Sequence, residues 1–350
     1  MQRRVDTAAG QAGATRAVMV HLHATGEDAH ARELAGGARG ESVRATDCLF
    51  QEEWWLDAVA PKDWSAIEVR DGKTLVGRWP YTVKRRLGLK VVGQPPLCQT
   101  LGPWVAPLEG KYTARLSRRM DIMQRLIAAL PACDLFSQAF HFSTEGLLPF
   151  HWEGFEQTPR YTYVMEDLRD LDQLWNGVRD KTRSDIRRAE KKLGVSAEDN
   201  FEQFWDLNVQ TFLRQGLKVP YDRALAQRLD AACAGRGARR ILFAREVAGR
   251  AHAAVYIVWD DRAAYYLMGG SDPEVRSSGA TSLLMWEAIK FASAVARSFD
   301  FEGSMMRNVE HFVRGFGGRQ VMYPYVRRMS RRMKVLASLQ SIYGCVVGRQ

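Results

Sequence analysis

Hydrophobic positions along the chain follow two periods, and the switches between them outline the elements. "LFQEEWWLDAVAP", from Leu49, has helical spacing and stops at Pro61. "WSAIEVRDG" and "KTLVGRWPYTVKRR" alternate with a period of two, which predicts two strands joined around Asp71-Gly72, a strong hairpin signal. "GQPPLCQTLGPWVAP" reads as an ordered loop because it carries Trp104 and other apolar residues. Residues 113–130 are expected to be helical, and "CDLFSQAFHF" a strand.

A second set of elements begins near Arg160. "YTYVMED" predicts a strand, "LDQLWNGVRDKTRSDIRRAEKKLG" a helix or helix pair, and "NFEQFWDLNVQTFLRQG" and "DRALAQRLDAACAG" two helices closed by glycines. Three strands in a meander follow, "RRILFAREVAG", "RAHAAVYIVWD" and "AAYYLMGGSD". The pattern continues as helix "SLLMWEAIKFASAVARS", strand "FDFEGS", short helix "NVEHFVRGFGG" and strand "QVMYPYVRRM". "IEVRDGKTLVGRWPYTV" and "FAREVAGRAHAAVYIV" share one plan of strand, charged residues, turn glycine and strand, which suggests a duplicated module. Residues 1–45, without an aromatic residue, read as a disordered leader, 46–159 and 160–330 as two modules, and 331–350 as a basic amphipathic tail helix.

Composition narrows the function classes. Cys48, Cys98, Cys133, Cys233 and Cys345 form no CxxC or CxxH pair, which argues against a zinc site or disulfide scaffold. No apolar run reaches the ~18 residues of a membrane span, and residues 1–45 lack the basic-then-apolar order of a secretory signal, so a soluble cytoplasmic protein is expected. The net charge of +10 favours anionic partners such as a nucleotide cofactor, RNA, an acidic carrier protein or a phospholipid surface. The basic helix of Lys181, Arg183, Arg187, Arg188, Lys191 and Lys192 lacks interleaved aromatics and reads as a solvated face that could meet phosphate. The tail alternates basic and apolar residues, so it either packs on the body or lies on the inner face of an anionic membrane.

Candidate chemistry clusters late in the chain. Arg276-Ser277-Ser278-Gly279-Ala280-Thr281 joins a strand to a helix, and a helix N-terminus with a glycine there can cradle a phosphate. Ser277 or Ser278 could equally be a plain N-cap. Asp300 and Glu302, two apart in a strand, are expected on one face opposite Phe299 and Phe301. There paired carboxylates could raise one pKa and supply a base, or one could pair with an arginine and serve only structure. His252 and His311 read as structural, and no Ser-His-Asp set or paired metal ligand is visible.

The element order of the second half, with the 276–281 loop after its fourth strand, resembles the GNAT acyltransferase superfamily, whose loop is Gln/Arg-x-x-Gly-x-Gly/Ala; Thr281 departs from that pattern. "RDKTRSDIRRAEKKLGV", "YYLMGGSD", "SSGATSLLMWEAI" and "FDFEGSMMRNVEHFVRGFGG" resemble its Fem-type branch, the FemAB-like or BioF2-like proteins, over residues 160–328. The resemblance implies an α/β (α+β) fold of tandem GNAT-like modules, each a mixed, mostly antiparallel sheet flanked by helices, with the active cleft on the second. It implies acyl transfer to an amine from an acyl-CoA, acetyl-CoA foremost, with no metal and no DNA partner. It further implies oxyanion or pantetheine contacts at Met268, Gly269 and Gly270, a thiolate-protonating tyrosine at Tyr265 or Tyr266, and substrate contacts at Phe312 and Arg314. The acceptor would be a small molecule or an envelope precursor. Rival readings are an aminoacyl-tRNA or acyl-carrier-protein donor and a non-catalytic binding module. Many Fem-type sequences have Phe/Tyr-Lys-x-x-Phe-Gly where this chain has Phe312-Val313-Arg314-Gly315-Phe316-Gly317; Val313 replaces the lysine implicated near the reacting ester of tRNA-dependent relatives, which argues against that donor.

Overall fold

A computed structural model describes residues 17–20, 44–303 and 305–336. Of the expected leader, Ala17–Val20 (β1) run parallel to Trp64–Asp71 (β2); the remainder up to residue 43 lies outside the described residues. The tail is described through Leu336, and residues 331–336 are helical.

The first half continues with α1 (Glu53–Val59), β2, β3 (Thr74–Arg86), β4 (Leu89–Gly93), β5 (Trp104–Val105), α2 (Tyr112–Ala128), β6 (Leu135–Ala139) and α3 (Leu148–Trp152). The β2–β3 hairpin turns at Gly72, whose φ of +59° is the left-handed conformation that this turn needs. Then come β7 (Glu156–Met165), α4 (Leu171–Gly177), α5 (Asp180–Glu190), β8 (Gly194–Ala197), α6 (Phe201–Arg214) and α7 (Arg223–Ala234). The second meander is β9 (Arg239–Arg245), β10 (Ala251–Trp259) and β11 (Ala263–Ser271), followed by α8 (Ala280–Ala292), β12 (Ser298–Asp300), α9 (Arg307–Arg314) and β13 (Arg319–Met329). α4 and α5 are separate helices because Val178 between them is extended and buried, and Arg179 N donates to Gly315 O (2.9 Å). No helix among the described residues is long and apolar enough to cross a membrane.

The architecture is mixed α/β: a large sheet flanked by helices, with an antiparallel hairpin set in each half. Strand order is β1-β2-β3-β4-β6-β13-β7-β12-β11-β10-β9-β8, so both halves share one sheet. β13 makes the join, pairing with β7 along Arg319–Arg327 and with β6 along Tyr325–Met329.

Three apolar clusters fill the layers. One lies over β9–β11 and mixes the halves: Phe50, Trp55 and Leu56 pack with Phe204, Leu229, Tyr256 and Tyr265. On the opposite face, Ile186 of α5 and Leu284, Ala288 and Ile289 of α8 pack with Val255, Ile257, Phe299, Phe301 and Phe316. The third surrounds Trp79 with Phe136, Phe140 and Phe150 in the first half, where Trp79 Nε1 donates to Gln138 Oε1 (2.7 Å). Helices α6 and α7 thus cover one face of the second half, and α5 and α8 the other.

Candidate active site

The site opens where β11 loses a neighbour. β12 pairs with β11 only from Ala263 to Tyr265, because β12 ends at Asp300. From Tyr266 to Ser271, β11 keeps β10 on one side and has no strand on the other. Backbone N–H and C=O groups on that edge are free to meet other partners. Two are met by α6: Asn208 Nδ2 donates to Gly269 O (2.8 Å), and Ser271 N donates to Thr211 Oγ1 (3.0 Å). Because N–H and C=O of one strand residue share an edge, the Gly269 N–H faces the same gap.

Met268, Gly269 and Gly270 play three different parts. The Met268 side chain is buried in the α6–α7 layer. A Cβ at Gly270 would stand 2.4 Å from Asn208 N, so glycine there admits the α6 backbone. A Cβ on Gly269 would stand 2.0 Å from the Tyr266 hydroxyl, so that phenol folds over the glycine.

A β-bulge decides between the two tyrosines. Register slips so that Tyr256 faces Met268 while Ile257 faces Tyr266, leaving Leu267 as the extra residue. Tyr265 is enclosed in the core, with its ring 4.8 Å from that of Phe50. Tyr266 is the one at the open edge. Burial raises its hydroxyl pKa to about 12, so it holds its proton at neutral pH.

Asp300 and Glu302 come together, by a route other than strand alternation. β12 stops at Asp300, and Glu302 adopts φ +53°, a left-handed conformation unusual for a residue with a Cβ. Phe299 and Phe301 both remain in the α5–α8 layer, 4.9 Å apart. Asp300 Oδ1 accepts from the Thr162 hydroxyl and from Glu302 N (2.8 Å). Gly303 is needed because a Cβ there would stand 2.3 Å from Tyr161 O.

The electrostatics separate the two acids. Burial raises Asp300 from 3.8 to about 6, against the two hydrogen bonds that favour its charged form. Burial also lifts Glu302 well above the ordinary range, and the neighbouring Asp300 charge pushes it further. Its Oε1 is buried without a hydrogen-bond partner. Two close carboxylates driven apart in this way favour one ionised and one protonated group.

Several groups at this site carry no local sequence signal. Gln99, from the first half, donates Nε2 to Glu302 O (2.8 Å) and to the Tyr323 hydroxyl (3.3 Å). Tyr221 donates to Asn208 Oδ1 (3.1 Å), and it lies close enough to Tyr266 and Glu302 for their charges to raise its pKa, after burial. The buried Cys98 thiol lies near Glu302, with its pKa pushed up by burial.

The 276–281 loop lies on the α5–α8 side. Gly279 has φ +82° and caps α8; a Cβ on it would stand 2.7 Å from Asp185 O of α5. Its glycine therefore serves the left-handed cap and the approach of α5. Ala280 is buried, Ser277 is exposed, and Ser278 Oγ accepts from Ala280 N (3.3 Å); the Arg276 side chain lies outside the described residues. Leu283 N donates to Gly279 O (3.0 Å), so the N–H groups of Thr281 and Ser282 point out of the helix end. Of the six expected cations, Lys181, Arg183, Arg187 and Arg188 lie on the adjacent α5, and Lys191 and Lys192 just beyond its end; Arg183 pairs with Asp180, and Arg188 with Asp185.

Helix α9 packs Val313 and Phe312 into the α5–α8 layer. Phe312 packs on Phe316 at 5.3 Å, and Arg314 pairs with Glu310 (3.0 Å) along an open groove that also includes His311. His311 Nε2 lies 3.1 Å from Arg179, and His252 Nε2 lies 3.1 Å from Glu246. Val313 is 1% exposed, inside the α5–α8 layer, where a lysine ammonium would be buried.

Residues 179–312 match the acetyltransferase (GNAT) domain family. The crystal structure of FemX is similar with a TM-score of 0.59 at 15% identity, covering 79% of this chain and 91% of that one. The C-terminal domain of a putative lysylphosphatidylglycerol synthetase from Agrobacterium fabrum gives 0.51 at 12%, covering 86% and 95%. A tandem GNAT protein from the clavulanic acid biosynthesis pathway gives 0.45 at 12%, covering 77% and 84%. At these identities the likeness is one of fold. No curated protein matches the chain significantly.

Proposed function

We propose that this chain, whose residues 179–312 match the acetyltransferase (GNAT) domain family, is an N-acyltransferase moving an acetyl or other acyl group from an acyl-CoA to an amine. The observation that carries the proposal is the partnerless, buried Oε1 of Glu302 beside the open edge of β11. A buried acceptor of this kind is completed by an incoming N–H donor. The α8 end and the cations of α5 suit a CoA pyrophosphate on one face of the sheet. The carboxylates suit an amine on the other, and the gap between β11 and β12 joins the two.

In this reading the thioester carbonyl lies along the open edge, where the Gly269 N–H stabilises the oxyanion. The amine approaches Glu302, and a positive charge beside that carboxyl favours its ionised form, so substrate binding and loss of the Glu302 proton are linked. The ammonium passes one proton to ionised Glu302, and the neutral amine nitrogen attacks the carbonyl carbon. Collapse of the tetrahedral intermediate breaks the C–S bond, and the thiolate takes a proton from Tyr266. The proton that the nitrogen carries in surplus then restores the Tyr266 hydroxyl. Asp300 steadies the turn that aims Glu302, through the Glu302 N–H. The acceptor belongs to a small-molecule or envelope-precursor class.

The test is direct: thermal stabilisation by CoA, and release of free CoA thiol from acetyl-CoA in the presence of a panel of amines. Stabilisation with amine-dependent thiol release is the expected result. No stabilisation by CoA and no transfer from any acyl-CoA overturns it. Transfer from charged tRNA alone would assign the aminoacyl donor instead.

A further inference from the structure

The β3–β4 hairpin ends in Lys84-Arg85-Arg86-Leu87-Gly88-Leu89-Lys90, with Arg86 paired to Leu89 across a two-residue turn. Leu87 and Gly88 have φ of +51° and +74°. Such a turn favours Asn-Gly, and a leucine at its first position is strained. Leu87 is also 91% exposed, so neither local backbone preference nor core packing accounts for it.

A second segment lies beside this tip. Arg332 Nη2 is 3.9 Å from where a Cβ of Gly88 would stand. Asp134 ties the two together: its carboxylate accepts from Lys90 N (2.9 Å) and the Ser330 hydroxyl (3.2 Å), and its carbonyl accepts from Ser330 N (2.8 Å). Residues 331–336 continue as a helix on which Val335 and Leu336 are exposed. Lys84, Arg85, Arg86, Lys90, Arg331, Arg332 and Lys334 thus gather around three exposed aliphatic side chains, and neither 84–90 nor 330–336 contains an acid.

We infer that this face docks on an anionic phospholipid bilayer, with Leu87, Val335 and Leu336 entering the headgroup boundary and the surrounding cations meeting lipid phosphates. Exposed aliphatic residues ringed by Lys and Arg match an interfacial membrane site. A single-stranded nucleic-acid face would instead present stacking aromatics between its cations. The inference is independent of the proposed acyl transfer. The hairpin's base, at Thr82, Lys84, Val91 and Gly93, also lines a cavity of about 230 Å³ that includes Arg160 and Tyr325.

The test is co-sedimentation of the full chain with vesicles of phosphatidylcholine alone, or with about one-third phosphatidylglycerol. Binding only to the anionic vesicles, weakening with salt, is expected. Leu87→Asn suits the turn and preserves the fold, yet should lower partitioning about tenfold through loss of the apolar anchor. Arg85→Glu with Arg86→Glu should lower it about a hundredfold or more, at unchanged melting temperature. Equal binding to both vesicle types, no binding to either, wild-type binding by both hairpin variants, or retention of tRNA without vesicle binding would each overturn the inference.

Discussion

Gln99 Nε2 donates to the main-chain oxygen of Glu302 at 2.8 Å, a bond that reaches from the first half of the chain into the candidate site of the second. It holds the carbonyl of a residue whose left-handed backbone no local helix or strand supports. The first half is therefore part of the site.

Gln99→Ala should lower kcat about tenfold or more while leaving the KM for acyl-CoA unchanged, because a misaimed base costs alignment and not donor binding. Steady-state kinetics with the acyl-CoA varied would show the split. A proportional rise in KM would place Gln99 in the donor site instead.

Glu302 has a folded-state pKa raised well above the ordinary carboxylate range by burial and by the neighbouring Asp300 charge, so it holds its proton to higher pH than an exposed glutamate. Activity should rise with pH as that proton leaves. Glu302→Gln should remove the rising limb of the kcat/KM profile and lower the rate by roughly two to four orders of magnitude. A rising limb that survives the substitution assigns the base elsewhere.

Asp300 titrates near 6 when folded and near 3.8 when unfolded. Between those values the folded state holds the extra proton, so this residue's contribution to stability falls as pH rises from about 4 to 6. The loss is on the order of 3 kcal/mol. Asp300→Asn keeps the acceptor for Thr162 and Glu302 N and removes the ionisation. Denaturant midpoints across that range should then fall less steeply with pH than in the parent.

Asn208 is 1% exposed and joins Gly269 O to the Tyr221 hydroxyl. Asn208→Ala leaves both without that partner and should cost about 2–4 kcal/mol in urea unfolding. A loss below 0.5 kcal/mol, within the scatter of surface substitutions, would show that the network is not structural.

Thr281 lies at the α8 end and is only partly buried, whereas Ala280 is buried. Thr281→Glu tests donor binding without placing a charge in the core. A carboxylate there should weaken CoA binding about tenfold or more by repelling the pyrophosphate. Calorimetric titration with CoA would measure it, and unchanged affinity would move the pyrophosphate away from α8.

Much of the fold was legible because its periods are clean. The β2–β3 and β9–β10 hairpins and helices α2, α6, α7 and α8 all fall where alternation or helical spacing predicts them. Four-residue β8 was missed, since so short a strand shows little alternation. At the site, spacing pointed to Asp300 and Glu302 for the wrong reason: the strand ends, and a left-handed turn brings them together. Tyr265 and Tyr266 could not be told apart without the bulge at Leu267. Gln99, Asn208 and Tyr221 had no signal at all, because each acts through a partner dozens of residues or more away, or through a bond chosen by packing.

The latest strand among the described residues is also the one in the middle of the sheet. During synthesis, β6 and β7 are made well before the strand that lies between them, and each waits with an unsatisfied edge until Arg319–Met329 has left the ribosome. A nascent chain halted before residue 319 should therefore expose two strand edges to chaperones or to neighbouring chains, and its cleft should not be complete.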